Sequence, residues 1–541
     1  MGIPSYFRSI LQKYPGTLRD SLPFKAADTL CFDFNCLIYR CIRASSMPPY
    51  PESGETNEYE NDEWEKLLLE EVVRVVKEVW NAAGKPKTVL LAVDGVVPMA
   101  KIRQQRVRRF KSAWSRSDGD GDSSRSRSRS SWDTNAITPG TKFMEKLGIV
   151  LKGITMGSAK CIVSGVDEEG EGEHKIMRWL RMQRRQQMRE QADSRGNVIV
   201  YGLDADLILL TMLAGEECDL DIHLLREKQE FGGKREDIST DQEYQFLDIR
   251  EFQRRIGVSG LVGKEEVLNY IALMSLMGND FLPHSLTHKL ADGGHECVLQ
   301  ELNWLRNNEW LIDSSGKYKI SVLSGIFKRW GEKAEEDDRM LHVIMKKKEQ
   351  ARRGVGKGMD ASEGLPLEWA VENILLCSSN HRQLADEWRQ AYWEYIHPYA
   401  DSCYRDSLCA EYLRGFQWIL DYYRGEDVNI SWMFPAWIPP LWSDLSSFCE
   451  RVMAGESEFS PMIDVEEVRP MPQEQLAMVL PLESWGLIRN PKLRSLPALL
   501  PQMWPRKFGF FSLGRKWLWE CEARIPVLTA GRLREEMGGA M

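Results

Sequence analysis

The stretch EEGEGEHK, residues 168–175, sets four glutamates within six positions, spaces them with Gly170 and Gly172, and follows them with His174 and Lys175. Acids on so permissive a backbone can cap the helical pattern IMRWLRM that comes next, where they complement the helix dipole. They can also hold a metal ion. Other acids close apolar runs elsewhere: TLCFDF with Asp33, TVLLAVDG with Asp94, NVIVYGLDADL with Asp204 and Asp206, and IALMSLMGNDF with Asp280. One such Asp is ordinarily a turn or cap residue. Converging with Glu171 and Glu173, they would repel, since two charges 4 Å apart cost about 4 kcal/mol at an effective dielectric near 20. A divalent cation removes that conflict. Ligands that are all oxygen point to Mg²⁺ or Mn²⁺ rather than zinc, and no His or Cys grouping stands beside these acids. The pattern fits phosphodiester hydrolysis with one or two ions, one activating water and the other stabilising the leaving oxygen.

A second chemistry follows Asp94 directly. KIRQQRVRRFK, residues 101–111, carries six positive charges and no negative one. On a helical wheel Lys101, Gln105, Arg108 and Arg109 fall within about 100°. That face offers ammonium, guanidinium and amide donors suited to a terminal phosphate. Arg103 and Arg106 point elsewhere and read as solvated.

These residues need elements to hold them. TLCFDF (29–34), TVLLAVDG (88–95), NVIVYGLDADLILL (197–210) and DIHLL (221–225) read as strands of a buried parallel sheet, with amphipathic helices such as WEKLLLEEVVRVVKEVW (64–80) between them. Asp204 and Asp206, two apart, would then share one face of an extended chain. In open sheets of this kind ligands bind beyond the carboxyl ends of the strands. SRSDGDGDSSRSRSRSS (115–131) is a low-complexity, SR-like loop, read first as a solvated insertion. Past residue 310 the strand signals fade. Residues 328–358 read as a charged, exposed helix ending in a Gly-rich loop, and the remainder as helical and Trp-rich. Two domains follow: an α/β catalytic domain over 1–310 and a mainly helical one over 311–541.

A hydrophobic content of 43% excludes a mainly disordered chain. No apolar run is long enough to span a bilayer, and no secretory pattern opens the chain, so no membrane partner is expected. Eleven scattered cysteines without a CxxC pair fit free thiols in a reducing compartment. The net charge of −9 argues against a uniformly positive surface but not against a focused site.

With these motifs assembled, the sequence resembles the Xrn-type 5′→3′ exoribonucleases. The resemblance lies in MGIPSYFRSILQKYP at the start and in FDFNCLIY (32–39), AVDGVVPMAKIRQQRVRRF (92–110), NAITPGTKFM (135–144), GEGEHKIM (170–177), YGLDADLILL (201–210) and LMGNDFLPH (276–284). It continues through GFQWILDYYRG (415–425), EQLAMVLP (474–481) and KFGFFSLGRKWLWECEARIP (507–526). It implies a PIN and flap-endonuclease-like α/β core with a mainly parallel central sheet flanked by helices, followed by a mostly helical domain that closes the channel. It implies metal ligands at Asp33, Asp94, Glu171, Glu173, Asp204, Asp206 and Asp280, with Mg²⁺ or Mn²⁺ as cofactor. It places a 5′-monophosphate pocket at Lys101, Gln105, Arg108 and Arg109. The implied activity is processive degradation of single-stranded RNA from a 5′-monophosphate end, releasing nucleoside 5′-monophosphates, in the cytoplasm or nucleus and as a monomer.

The chain departs from the family pattern in three places. Tyr39 stands where the family usually has a base-stacking His; Tyr can stack on a base but carries no positive charge. The aromatic opposite it is assigned to Trp432, with Trp418 in reserve. Glu169 replaces a frequent Pro, and with Glu168 is read as a solvated loop acid, while Lys175 is read as a cation near the metals. The chain ends with the shared core, so a short form without appended domains is expected. Two other readings share the acidic core: a flap-type DNA nuclease, and an inactive homologue that binds 5′-phosphorylated RNA.

Overall fold

The computed structural model describes residues 6–7, 13–22, 27–51, 58–117, 132–189, 196–228, 243–355, 369–515 and 520–538. Most of the SR-like segment (118–131) and the Gly-rich loop after the charged helix lie outside these residues.

Seven strands form one sheet: β1 (Leu18–Arg19), β2 (Thr29–Asp33), β3 (Thr88–Ala92), β4 (Lys160–Ser164), β5 (Asn197–Tyr201), β6 (Asp221–Glu227) and β7 (Tyr244–Asp248), in the order β1-β7-β6-β5-β2-β3-β4. The five strands from β6 to β4 are parallel; β7 and β1 complete one edge in antiparallel fashion. Side chains alternate across this sheet as its period of two requires. Cys31, Leu90, Ala92, Val198 and Val200 enter one core, while Leu30, Phe32, Val89, Leu91, Ile199 and Tyr201 enter another. Apolar on both faces, such strands suit a parallel sheet covered by helices. The chain builds outward from β2 to β3 and β4, then returns to lay β5 and β6 on the other side. The order therefore reverses between β2 and β5, and the crevice at their carboxyl ends is where α/β sheets bind ligands.

Two strand readings need correction. The run 197–210 is extended only as far as Tyr201; Asp206–Cys218 is a helix, buried on nearly every side. LILLTMLA is apolar all round, and a short run of that kind has no period by which to tell a buried strand from a buried helix. Asp204 and Asp206 thus flank the start of a helix rather than sharing the face of a strand. KCIVS, which forms β4, was not read as a strand at all.

From Gly263 onward, β8 (Phe510–Phe511) and β9 (Glu522–Ala523) apart, the described residues are helices and loops. The charged helix is observed over Lys333–Val355. Packing does not divide at residue 310: Ile271, Val298, Leu323 and Phe416 share one core. A further core joins Ile102, Val107 and Phe110 of the basic helix to Leu476, Leu480, Leu493 and Trp504. All eleven cysteines are free, and no described helix is long and apolar enough to cross a membrane.

Candidate active site

The acids gather at the reversal crevice. Asp33 is the last residue of β2, and Asp94 lies just beyond β3. Asp94 is held on both oxygens: the Gly172 N–H donates to Oδ1 at 2.7 Å and the Asn35 amide to Oδ2 at 2.9 Å. Gly172 opens the helix Gly172–Arg189, and a Cβ there would meet the Ala92 carbonyl and the Asp33 Oδ1, each at 2.7 Å. Only a residue without a side chain lets the glutamate loop come this close. Gly170, at φ +106°, turns that loop in the left-handed region, and its N–H donates to the Val96 carbonyl at 2.8 Å.

Two overlapping groups of ligand atoms result. Glu173, Asp204 and Asp206 each present an oxygen, all within 4.8 Å of one another; so do Glu171 and Glu173 with a nitrogen of His174. Asp33 joins through its interactions with Asp94, Asp204 and Asp206, and burial followed by those charges pushes its carboxyl well above the usual range. Glu173 is pushed well up by burial and then by Asp206 and Glu171. Burial and Asp204 push Asp206 up to about 7. Buried Glu173 Oε2 and Asp206 Oδ1 have no hydrogen-bond partner. Buried carboxylate oxygens left open among like charges fit a divalent cation, and an all-oxygen donor set suits a hard one.

Lys101 does not face a phosphate pocket alone. Its ammonium reaches Glu171 at 2.5 Å and Asp280 at 2.8 Å, tying the seventh acid to the others. Burial works against the Asp280 charge, yet Lys101 outweighs it and holds the carboxyl down at about 2. Gln104, absent from the wheel face, lies toward the same carboxylate. Further along the helix Met99–Ser117, Gln105 and Arg109 are buried with Gln105 Oε1 and Arg109 Nη1 unpartnered, and Arg108 is half-buried beside them. Arg103 and Arg106 are not solvated. Arg103 donates to the carbonyls of Phe434 and Ala436, and Arg106 to those of Pro526, Met478 and Met503. They are 6% and 1% exposed, and they fasten the basic helix to the C-terminal half.

Residues 1–228 match the family described as XRN 5'-3' exonuclease N-terminus. Over that segment, less than half of the chain, the sequence is similar to the Xrn family. It is similar to human 5'-3' exoribonuclease 1, at 26% identity over 615 residues that cover 99% of this chain and 34% of the human one. It is also similar to 5'-3' exoribonuclease 1 of Schizosaccharomyces pombe, 33% identical over 314 residues, 52% of this chain and 22% of that one. The Saccharomyces cerevisiae 5'-3' exoribonuclease 2 is 30% identical over 359 residues, 52% of this chain and 34% of its own length. The chain thus spans about a third of the length of the human relative.

Within this site the aromatic assignments change. Tyr39 is half-buried on the helix Asn35–Ile42, in electrostatic reach of Arg109. Trp432, expected to oppose it, is 1% exposed, packs on Trp418 at 5.3 Å and donates its indole N–H to Glu411 at 3.0 Å. Trp418 is 2% exposed and donates to the Asn429 carbonyl. Both rings belong to the main core and present no open face to a base. Lys175 is a brace rather than a cation facing the metals, donating to the carbonyls of Val93 and Gly165. Glu168 and Glu169 stay at the surface, Glu169 paired with Arg469 at 2.8 Å.

Two participants were missed. The Tyr422 hydroxyl donates to Glu171 Oε2 at 3.0 Å from the helix Ser402–Arg424, which Gly425 ends in the left-handed conformation. His174 is buried against that tyrosine, ring centroids 3.8 Å apart. The GFQWILDYYRG block and the histidine after Glu173 were both in view, but nothing in their spacing says that they meet.

Proposed function

We propose that this chain is a 5′→3′ exoribonuclease that hydrolyses single-stranded RNA from a 5′-monophosphate end in the presence of Mg²⁺ and releases nucleoside 5′-monophosphates. The observation that carries this reading is the continuity of the basic helix with the acid cluster. Lys101 touches Glu171 and Asp280, and one to two turns on stand Gln105, Arg108 and Arg109, with buried donor and acceptor atoms left open. A terminal phosphate on that face would set the next phosphodiester beside the carboxylates.

Asp33, Asp94, Glu171, Glu173, Asp204, Asp206 and Asp280 would hold the cation or cations. A divalent ion bound there supplies a nucleophilic water at neutral pH and neutralises the charge that develops on the leaving oxygen. Arg108, Arg109 and Gln105 bind and orient the 5′-phosphate, and a site formed from these side chains favours a terminal phosphate over a hydroxyl. Tyr39 stacks on the first base; the face of a phenol accepts any base, which suits degradation without sequence preference. Asn35 and Gly172 keep Asp94 in one orientation, and Tyr422 does the same for Glu171.

The test uses three labelled RNAs, with 5′-monophosphate, 5′-triphosphate or 5′-hydroxyl ends, and a DNA flap, each incubated with the protein and Mg²⁺. Loss of the monophosphate RNA alone, to mononucleotides, is expected. Cleavage of the flap with RNA untouched would replace this reading with a DNA nuclease, and retention of RNA without cleavage would make the chain a binding protein.

A further inference from the structure

His174 lies within the acid cluster without being an acid. It is 7% exposed, its ring is stacked on Tyr422 at 3.8 Å and 31°, and Nε2 has no hydrogen-bond partner. Nε2 is thus a buried ring nitrogen that no protein group engages. A metal-binding imidazole needs such a ring nitrogen free to ligate, on a ring held in place, and here the stacking on Tyr422 holds it.

The neighbours complete a coordination set. A His174 nitrogen, a Glu171 oxygen and a Glu173 oxygen lie within 4.8 Å of one another. Donors about 2.0–2.6 Å from one ion and opposite each other stand about 4–5 Å apart, so a single ion fits between them. Glu173 Oε2 is buried without a partner. Glu171 is already engaged, by Lys101 on Oε1 at 2.5 Å and by Tyr422 on Oε2 at 3.0 Å, but each carboxylate oxygen keeps a further lone pair. The other group, Glu173 with Asp204 and Asp206, is oxygen alone. The two groups share Glu173 and differ in ligand type.

We propose that His174, with Glu171 and Glu173, forms a mixed nitrogen–oxygen cation site that takes Mn²⁺ in preference to Mg²⁺, next to an oxygen-only site at Glu173, Asp204 and Asp206 that takes either. Imidazole favours a first-row transition ion, whereas carboxylate and water serve Mg²⁺ as well. The proposal rests on the reading of the cluster as a metal centre.

The experiment is pulsed electron paramagnetic resonance on the full-length chain loaded with Mn²⁺ alone. The expected spectrum shows echo modulation from a directly bound ¹⁴N, replaced by the ¹⁵N pattern when the protein is made with ¹⁵N-histidine. His174→Gln removes the modulation and weakens Mn²⁺ binding about tenfold, with a smaller change for Mg²⁺, as calorimetry reads it. The labelled wild-type protein decides the matter even where the variant folds poorly. Bound Mn²⁺ with no nitrogen coupling overturns the His174 inference and leaves the metal centre standing. No Mn²⁺ binding overturns both.

Discussion

Arg106 and Arg109 stand three residues apart on one helix, and both are buried. Arg106 gives all three guanidinium nitrogens to backbone carbonyls of the C-terminal half. Arg109 leaves Nη1 with no partner, as Gln105 beside it leaves Oε1. The helical wheel puts the two on different faces but reads Arg106 as solvated, whereas it is finished as a piece of architecture and Arg109 is incomplete. The acid cluster repeats the contrast. Asp94 is satisfied on both oxygens by its own chain, whereas Asp206 Oδ1 and Glu173 Oε2 are buried and open. Buried polar groups are almost always paired, so unpaired ones gathered at the crevice are the candidates for holding a ligand.

The largest effect is expected where the open group is an acid. Asp206→Ala should reduce hydrolysis by about a thousandfold or more, leaving the fold and RNA binding intact, since removing one carboxylate relieves repulsion in the free protein while depriving the centre of a ligand. Hydrolysis near the native rate would remove Asp206 from the centre.

The two arginines should then part company. Arg106→Ala strands three buried carbonyls and is expected to cost about 3–5 kcal/mol, read as a large fall in Tm. Arg109→Met removes a buried cation with an open nitrogen; its Tm should hold within a few degrees while the preference for 5′-monophosphate ends falls about tenfold. Equal Tm losses in both variants would erase the contrast.

Tyr422→Phe keeps the ring and its stacking but removes the hydrogen bond to Glu171. The half-saturating Mg²⁺ concentration should rise about tenfold, with Tm shifted by only a few degrees. An unchanged Mg²⁺ dependence would make Tyr422 a packing residue.

The smallest effect is a slope. The folded-state pKa values of Asp33, Glu173 and Asp206 lie above their unfolded values, Asp206 at about 7 against 3.8. The folded state therefore holds protons that the unfolded state has released, and stability contributed by these groups is lost as pH rises from about 4 through 7. In EDTA, Tm should decline across pH 5.5–8, and added Mg²⁺ should raise it most at the high end, where the carboxylates are free to ligate. A Mg²⁺ effect independent of pH would contradict the raised values.

Much of this was legible beforehand because it follows from local pattern. Apolar runs that end in Asp become strands whose carboxyl ends meet, and Asp33 and Asp94 sit where that pattern puts them. Gly170 and Gly172 allow the approach that their lack of a side chain suggests. The helix at Asp206 was misread because an apolar run without a period carries no sign of its conformation.

What the sequence alone determined was the chemistry available: five aspartates after apolar segments, two glutamates in a glycine-spaced acidic stretch, and a helix with its cations on more than one face. The tertiary structure decided which charges are answered. Arg103 meets carbonyls 331 and 333 positions away, Arg106 meets others 372 to 420 away, and Tyr422 reaches Glu171 across 251. Whether a charged side chain is solvated, braced or open depends on what is packed against it in three dimensions. No local rule of spacing carries that information.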